Sequence, residues 1–436
     1  MTRINTQLQF GPILNLVKSV FKGIPDHRKA NLVDYKLDEV ATAGLAMMFF
    51  QDASLLAFQE RLKAVRGSHN LKTLFGVEEI PSATQMRSLL DTIDPEALLK
   101  VFRELISQIQ LTNIWRDYKC LDGRVPLLLD GTEYFNSKKL HCDSCLIREK
   151  SNGKEYYHQA LVGSFVSPKL KQVLPAFIEA IAKEDGSTKN DCEINAAKRF
   201  ISKFSKHYCH LNLVIVADSL YSKSPFIETV LANKSDYIFV AKQGDHKNLQ
   251  EEIRALRSSG DLVTIEFYED GQKHTLEYLR DIQVFDNSKL TSNWVSYTVT
   301  RKKGSPFHCE WLTSIKPTKK NVREIAETGR MRWKIENDVF NALKNEGSNL
   351  EHNFGHGKKH LQFNFFLLNI IAFLFHQILA LSDVVYLNAL TYPKTYCAFF
   401  EKVKFLTREV LWDDWLSLME YCCQRDAELI VIRPGK

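Results

Sequence analysis

Apolar residues recur at helical spacing over the first quarter of the chain. The segments Leu37–Gln51 and Pro95–Gln110 both place apolar side chains every three or four positions. Asp94, directly before Pro95, has the features of a helix N-cap followed by proline at the first helical position, and Ser82 is placed to begin another helix. This pattern predicts a helical domain over residues 1–118.

The pattern changes near Val125, where short continuous apolar runs replace the helical spacing. The run Val125–Asp130 and the run Leu213–Asp218 both end in an aspartate, as expected of buried strands with a carboxylate at the tip. The intervening ALVGSFVSP and KQVLPAFIEAI indicate two more strands, and a helix is predicted over Asn190–Tyr208. A helix at Pro225–Asn233 and the strand DYIFVAK follow. Strands that alternate with helices predict a mixed α/β core whose first part spans residues 119–245.

Residues 246–322 are expected to interrupt this core with a β-rich insertion. Three alternating segments, LVTIEFYEDGQKHTLEYLRDIQVF, WVSYTVTRK and FHCEWLTSI, lie between Asp261 and Ser314, with a hairpin turn predicted at Glu269–Gln272. Helical spacing resumes in NVREIAETGRMRWKIENDVFNALKNEG, for which Gly347 is a reasonable C-cap. We assign residues 323–436 to the second part of the core and to C-terminal helices.

A long apolar run from Phe363 is either a membrane span or a buried helix. Four polar residues interrupt it, and a second span is not evident, so we expect a core helix. The N-terminus lacks the continuous apolar region of a signal peptide, and nine cysteines lack the dense spacing of a disulfide framework. These features predict a soluble protein in a reducing, intracellular compartment.

The formal charge is +6, and the basic residues concentrate before Glu336. Such clusters neutralise phosphate backbones, although an ordinary solvated surface would give the same pattern. The stretch contains Arg301, Lys302, Lys303, Lys316, Lys319, Lys320, Arg323, Arg330, Arg332 and Lys334.

The acids at the two strand tips, Asp130 and Asp218, together with Glu336 on a later helix, form the arrangement that two-metal phosphoryl transfer needs. Hard divalent cations take carboxylate oxygens and leave positions for water and phosphate. Each acid alone could equally be a helix cap or a surface residue. Arg332 lies four residues before Glu336, on the same helix face, where it could hold a phosphate. Asp122 competes with Asp130, which is preferred because it ends the uninterrupted apolar run.

Three blocks, LLLDGTEYF, VIVADSLYS and GRMRWKIENDVFNALKNEG, resemble the catalytic blocks of DDE insertion-sequence transposases. They are similar to the group with a β insertion before the glutamate, called the insertion sequence four group, whose signature is Y-x₂-R-x₃-E-x₆-K. Arg332 and Glu336 match that signature. Gly329 stands at the tyrosine position, and Lys344 follows Glu336 with seven residues between instead of six.

The resemblance implies an RNase H-like α/β core, preceded by a helical domain for DNA binding or assembly. Asp130, Asp218 and Glu336 would hold two Mg²⁺ or Mn²⁺ ions, and Arg332 would position a phosphate. The enzyme would cut the ends of a mobile element and join their 3′-hydroxyls to target DNA, as a homodimer or larger oligomer at a prokaryotic nucleoid, with no membrane partner. Alternatives are a nuclease without strand transfer and a catalytically silent DNA-binding protein.

Further DNA contacts are predicted for Arg330, Lys334, Lys344 and Lys242, and with less support for His246 and Lys247.

A second group of side chains has the spacing of a metal site. His141, Cys142 and Cys145, followed by His158, could supply a Cys₂His₂ zinc site, although a single C-x₂-C pair also arises by chance.

Two further sets of residues have more than one interpretation. Trp294, Trp311 and Trp333 could stack on bases but are more often core residues. His352, His356 and His360 could bind a metal, but the neighbouring glycines favour a loop that contacts phosphate.

Overall fold

The computed structural model describes residues 6–29, 33–151, 153–183, 192–242, 244, 247–284, 289–300, 305–345, 347–391, 393 and 395–424. It divides the chain into two compact units. A helical unit combines residues 1–112 with residues 342–436. The second unit comprises residues 113–341 and is named the catalytic unit because it contains the three acids that the sequence predicts to be catalytic, Asp130, Asp218 and Glu336.

The helical unit is built from helices that begin where local signals predict. The Asp94 carboxylate caps the helix that starts at Pro95, and Ser82 forms a capping box with Gln85, so both predicted starts are confirmed. The helices of this unit are α1 (Phe10–Phe21), α2 (Leu37–Phe49), α3 (Leu55–Lys63), α4 (Val65–Phe75), α5 (Ala83–Leu90), α6 (Pro95–Gln110), α12 (Leu361–Ser382), α13 (Val384–Thr391), α14 (Tyr396–Glu409) and α15 (Trp415–Cys423). A further helix, α11 (Asn341–Asn345), begins at the last residue that the chain contributes to the catalytic unit.

The long apolar helix α12 is the core of the helical unit. Among the described residues it alone is long and apolar enough to cross a membrane, but 94% of its most apolar 18-residue stretch is buried inside the structure. It packs against α2 and α6, and Phe375 stacks on Phe10 with 5.3 Å between ring centroids. Asn364 within it donates to the carbonyls of Leu90 and Ile93. The predicted core helix is confirmed.

The catalytic unit contains a mixed sheet and its covering helices, a mixed α/β fold consistent with an RNase H-like core. Its strands are β1 (Val125–Ser137), β2 (Leu146–Lys150), β3 (Gly153–Phe165), β4 (Leu174–Ile181), β5 (Leu213–Ala217), β6 (Asp236–Val240), β7 (Val263–Glu269), β8 (Gln272–Gln283), β9 (Thr291–Thr300) and β10 (Phe307–Thr313). Its helices are α7 (Glu193–His207), α8 (Ser224–Ala232), α9 (Lys247–Ser259) and α10 (Val322–Arg330), followed by a π-helical segment, Ile335–Phe340.

The central strands form the order β4-β3-β1-β5-β6. β1 pairs antiparallel with β3 and parallel with β5, and β5 pairs parallel with β6. Helices α7 and α8 connect the parallel strands, as parallel pairing requires. The residues of β5 and most of β1 are buried, which explains their continuous apolar runs.

Strands β7 to β10 are the predicted β-rich insertion. They pair antiparallel in succession, and β10 also pairs with β6, so the insertion extends the same sheet. The predicted hairpin turn is confirmed, because β7 ends at Glu269 and β8 begins at Gln272. Asp270 and Gly271 between them have φ angles of 51° and 68°, the left-handed backbone that a tight hairpin needs.

Candidate active site

Asp130 and Asp218 are brought side by side by the pairing of two parallel strands. The last registered pair of β1 and β5 is Leu128 with Val216, and each aspartate lies two residues further along the chain. Strand β5 ends just before Asp218, but β1 continues past Asp130 to Ser137, so the prediction that a strand ends at Asp130 is wrong. Because the strands run parallel and both aspartates follow the pair by two residues, Asp130 and Asp218 lie opposite each other on chain segments about 4.8 Å apart. Asp122 lies in an exposed turn before β1. The first six residues of β1, Val125–Asp130, extend over about 17 Å from this turn to Asp130.

Glu336 lies on the π-helical segment Ile335–Phe340, which packs against β1. Ile335, Val339 and Phe340 are the buried residues of this segment. The Arg332 guanidinium donates to Glu336 Oε1 at 2.8 Å, so the contact expected from their four-residue spacing is present. Arg332 is largely buried, whereas 42% of the Glu336 side chain remains exposed. A π-helical turn at this position agrees with the frequent use of such turns at functional sites.

Asp130 experiences the charges of the surrounding side chains. Burial, followed by the negative charge of Glu193, raises the pKa of Asp130 to about 7. The Arg332 guanidinium opposes this shift, while the carboxylates of Asp218 and Glu336 add to it. These charges act on Asp130 only if their carboxylates lie near it. The carboxylates expected from the sequence therefore form one cluster around Asp130.

Glu193 is a fourth carboxylate at this cluster, and the sequence pattern did not predict it. Glu193 begins α7. Its carboxylate lies directly beside Gly131, the residue after Asp130, because a Cβ added at Gly131 would lie 2.5 Å from Glu193 Oε2. The Tyr221 hydroxyl donates to Oε1 at 2.5 Å, and Gln159 Nε2 donates to Oε2 at 3.0 Å. An acid in the first turn of a helix is common because it interacts favourably with the helix dipole, so the sequence offered no distinguishing signal.

Several features of the cluster fit a divalent cation. Its donors are carboxylate oxygens, which hard cations prefer. Asp218 uses Oδ1 to accept the backbone N–H of Leu220, the capping role considered for it from sequence, and this leaves its second oxygen for a ligand. The pKa of Asp130 is raised first by burial and then by neighbouring negative charge, which a bound cation would compensate. Asp130, Asp218 and Glu336 are therefore a suitable donor set, with Glu193 beside them.

The basic residues proposed for DNA contact differ in their surroundings. Lys242 is exposed just after β6, and the exposed Arg330 packs over the rings of Tyr297 and Phe307. Lys334 donates instead to the carbonyls of Ser167 and Leu170, and burial lowers its pKa.

Other basic residues pair with acids or lie outside the catalytic unit. Lys344 belongs to the helical unit, where it pairs with Glu351 at 2.9 Å. Arg323 and Lys316 in the basic stretch also form ion pairs. His246 and Arg301, Lys302 and Lys303 lie outside the described residues, as does the side chain of Lys247.

The tryptophans separate into core and surface residues. Trp294 and Trp311 are buried, and the Trp294 indole donates to Glu310 at 3.0 Å. Trp333 is 51% exposed. Trp311 lies against Gly329, the position of the signature tyrosine, and a Cβ there would lie 2.6 Å from the indole. Trp311 therefore leaves no space for a larger side chain on this backbone.

Three of the four candidate zinc ligands lie together. Cys142, Cys145 and His158 have their sulfur and nitrogen atoms within 4 Å of one another. His141 instead stacks on Tyr156, with 4.3 Å between ring centroids, and its Nδ1 lies 3.2 Å from the Lys139 carbonyl oxygen.

Comparison with known protein families identifies the class to which this fold and site belong. The family model described as "Transposase DDE domain" matches residues 151–374, just over half of the chain. The model described as "DDE_Tnp_1-associated" matches residues 18–106. The chain therefore belongs to the DDE transposase family, whose members are enzymes that act on DNA and typically use divalent metals. No curated protein matches the chain. The DDE match includes Asp218 and Glu336 but begins after Asp130, so the assignment of Asp130 depends on the strand register.

Proposed function

We propose that this protein cuts the ends of a mobile DNA element and joins the resulting 3′-hydroxyls to target DNA. The observation that carries the proposal is the placement of Asp130 and Asp218 on adjacent chain segments by the β1–β5 register, with Glu336 on a helical segment packed against β1. Three carboxylates from separate parts of the chain, in a family that acts on DNA, favour phosphoryl transfer over a structural role. The insertion sequence four group remains the subgroup that we favour, on the spacing of Arg332 and Glu336.

Asp130, Asp218 and Glu336 are the residues that we expect to hold two Mg²⁺ or Mn²⁺ ions. Such ions, when bound, activate a water or 3′-hydroxyl and stabilise the leaving oxygen of an in-line displacement. Glu193 would add negative charge beside Asp130 while its carboxylate keeps accepting hydrogen bonds from Tyr221 and Gln159.

Arg332 would position the phosphate being attacked. Its guanidinium is held by Glu336 and lies 5.4 Å from the centre of the Trp333 ring, which limits its freedom before DNA arrives. Five donors in a planar fork allow arginine to keep one carboxylate contact while binding phosphate oxygens.

Lys242, Arg330, Lys334 and Lys344 are the further positions proposed for DNA contact. The exposed Lys242 and Arg330 are the better candidates, because Lys334 and Lys344 are engaged within the protein. Two element ends must be held together during joining, so a homodimer or larger oligomer on DNA is expected, in the cytoplasm at a prokaryotic nucleoid.

Incubation of the purified protein with Mg²⁺, labelled DNA carrying the inverted repeats that flank its gene, and a target plasmid tests this function. Cleaved ends and joined products are expected. Cleavage without joining would indicate a nuclease, and binding without cleavage would indicate a silent DNA-binding protein; either result would overturn the transposase proposal.

Two variants assign the activity to the carboxylates. Asp130→Asn and Asp218→Ala should abolish cleavage while preserving the folded structure and DNA binding. Asp122→Asn is the matched control, because Asp122 is exposed in a turn at φ 59°, a conformation that asparagine tolerates. Full cleavage by Asp218→Ala would contradict the metal assignment.

A further inference from the structure

The side chains of Cys142, Cys145 and His158 have the mutual spacing of ligands around one metal ion. Cys142 Sγ lies 3.8 Å from Cys145 Sγ, and His158 Nε2 lies 3.5 Å from the first sulfur and 3.4 Å from the second. A tetrahedral zinc ion with ordinary bond lengths of about 2.3 Å to sulfur and about 2.0 Å to nitrogen would separate two sulfurs by about 3.8 Å and sulfur from nitrogen by about 3.5 Å. The three separations therefore match those of a tetrahedral zinc site.

Neither a disulfide nor ordinary hydrogen bonding accounts for this cluster. A disulfide requires about 2.05 Å between sulfurs, so the 3.8 Å separation excludes one in this structure. Hydrogen bonding alone is also insufficient, because one imidazole nitrogen has a single proton or a single lone pair, yet Nε2 faces two sulfurs at nearly equal distances.

The local backbone orients these ligands. Cys142 and Cys145 form a tight turn in which the Cys145 N–H donates to the Cys142 carbonyl at 3.2 Å. The Cys142 N–H lies 3.4 Å from Cys145 Sγ, where it would stabilise a thiolate. This turn precedes β2, whereas His158 belongs to β3 and pairs with Phe135 of β1. The cluster thus joins the segment between β1 and β2 to the middle of strand β3 in the β2–β3 hairpin.

We propose that Cys142, Cys145 and His158 bind a structural Zn²⁺ ion, distinct from the catalytic divalent ions. Two thiolates and an imidazole select zinc over Mg²⁺, which prefers carboxylates and water. Cys145 and His158 are buried, as befits a structural site, and the fourth tetrahedral position takes a further donor. The ion fastens the far end of β1, the strand that carries Asp130 five residues before Phe135.

Metal analysis of the full-length protein tests the proposal. The protein, purified under reducing conditions and dialysed against a weak chelator, should contain one zinc ion per chain by mass spectrometry of the metal. X-ray absorption at the zinc edge should show two sulfur neighbours and lighter donors in the remaining positions. A protein that holds no zinc after reconstitution with ZnCl₂, or a zinc ion with only oxygen and nitrogen neighbours, would overturn the assignment.

Substitutions separate these ligands from residues that merely lie nearby. Cys145→Ser and His158→Ala should lose the zinc, whereas His141→Ala and the exposed Cys209→Ser should retain it. Asp130→Asn should also retain it, so failure of the transposase proposal leaves this test intact. If a ligand variant does not fold, Co²⁺ titration of metal-free wild-type protein provides the same information. Thiolate-to-cobalt charge-transfer bands and tetrahedral d–d bands are expected, and their absence would contradict the site.

Discussion

The Glu193 carboxylate accepts a hydrogen bond from the Tyr221 hydroxyl, with 2.5 Å between Oε1 and the phenolic oxygen. This bond joins the start of α7 to the turn that follows Asp218, so the fourth carboxylate of the active site is fixed in position. Burial raises the pKa of Glu193, while the Tyr221 hydrogen bond opposes the shift by stabilising the charged form. Glu193 is therefore an integral part of the charge distribution around Asp130.

We predict that Glu193→Gln lowers the pKa of Asp130 in the metal-free protein. Burial and the Glu193 charge raise that pKa to about 7, so removal of the neighbouring charge should bring it down by on the order of one unit. Carbon NMR of labelled aspartate carboxyl groups across a pH series measures this shift.

The matched control for that titration is Glu133→Gln. Glu133 lies on the same strand as Asp130 but pairs with Arg148, so its neutralisation should leave the Asp130 titration unchanged. An Asp130 pKa that does not move in Glu193→Gln would show that the Glu193 charge does not contribute to the shift.

Arg332→Ala should reduce the rate of single-turnover DNA cleavage by about 10- to 100-fold, as expected when a positioning contact to phosphate is lost. Arg332→Lys should recover only part of this loss, since an ammonium ion cannot bind Glu336 and phosphate in the same planar arrangement. Arg323→Ala serves as the control because that exposed arginine pairs with Glu269 and Glu327. Wild-type cleavage by Arg332→Ala would remove this residue from the proposed site.

Gly329→Ala should lower the free energy of unfolding by about 1–3 kcal/mol, the usual cost of overpacking a core. The new methyl group would lie 2.6 Å from the buried Trp311 indole. Gly11→Ala is the control, since a Cβ at that helical position meets nothing within 4 Å. Urea unfolding of both variants measures the difference, and equal stabilities would show that Trp311 moves aside at little cost.

The stability of the helical unit should fall as the pH is lowered, in part because of His376. This buried side chain contacts the Phe49 carbonyl through Nε2 and the Tyr386 hydroxyl through Nδ1, at 3.0 Å and 2.9 Å. Burial lowers its pKa from 6.5 to about 3, so below pH 6.5 the unfolded chain takes up a proton that the folded chain does not. Stability is therefore complete above pH 6.5 and is lost progressively towards pH 3.

Between pH 7 and pH 5 this group should contribute a loss of about 2 kcal/mol. His376→Gln should be less stable at pH 7, because it breaks the buried hydrogen bonds, but its stability should depend less on pH by about that amount. Urea unfolding at both pH values provides the comparison. Identical pH slopes for the two proteins would mean that His376 does not titrate on unfolding.

Local signals in the sequence were sufficient to predict most elements of the fold. Strand β5 ends at Ala217, one residue before the end that its apolar run predicts, and the turn between β7 and β8 lies where Glu269–Gln272 indicated. Helix α7 differs from its predicted span by three residues at its start and one at its end. Helix α9 was not predicted, and the π-helical form of Ile335–Phe340 could not be distinguished from an α-helix by apolar spacing.

Charge in the sequence was a weaker guide than the apolar pattern. The basic stretch before Glu336 predicted a phosphate-binding surface, but Lys334 is turned onto backbone carbonyls and Arg323 is paired with acids. The presence of a lysine or arginine in the sequence does not show whether its side chain faces solvent or an internal acceptor. Its partner depends on chain segments far away in sequence.

The sequence by itself determined the buried apolar runs that precede Asp130 and Asp218, because burial is reflected in adjacent residues, but it did not show that β1 continues past Asp130 to Ser137. Only the tertiary structure decided that Glu193 joins those acids, that His158 and not His141 faces the two cysteines, and that Trp311 occupies the space at Gly329. Each of these contacts depends on strand register and helix placement. Both are set by packing between residues distant in sequence, which no local pattern records.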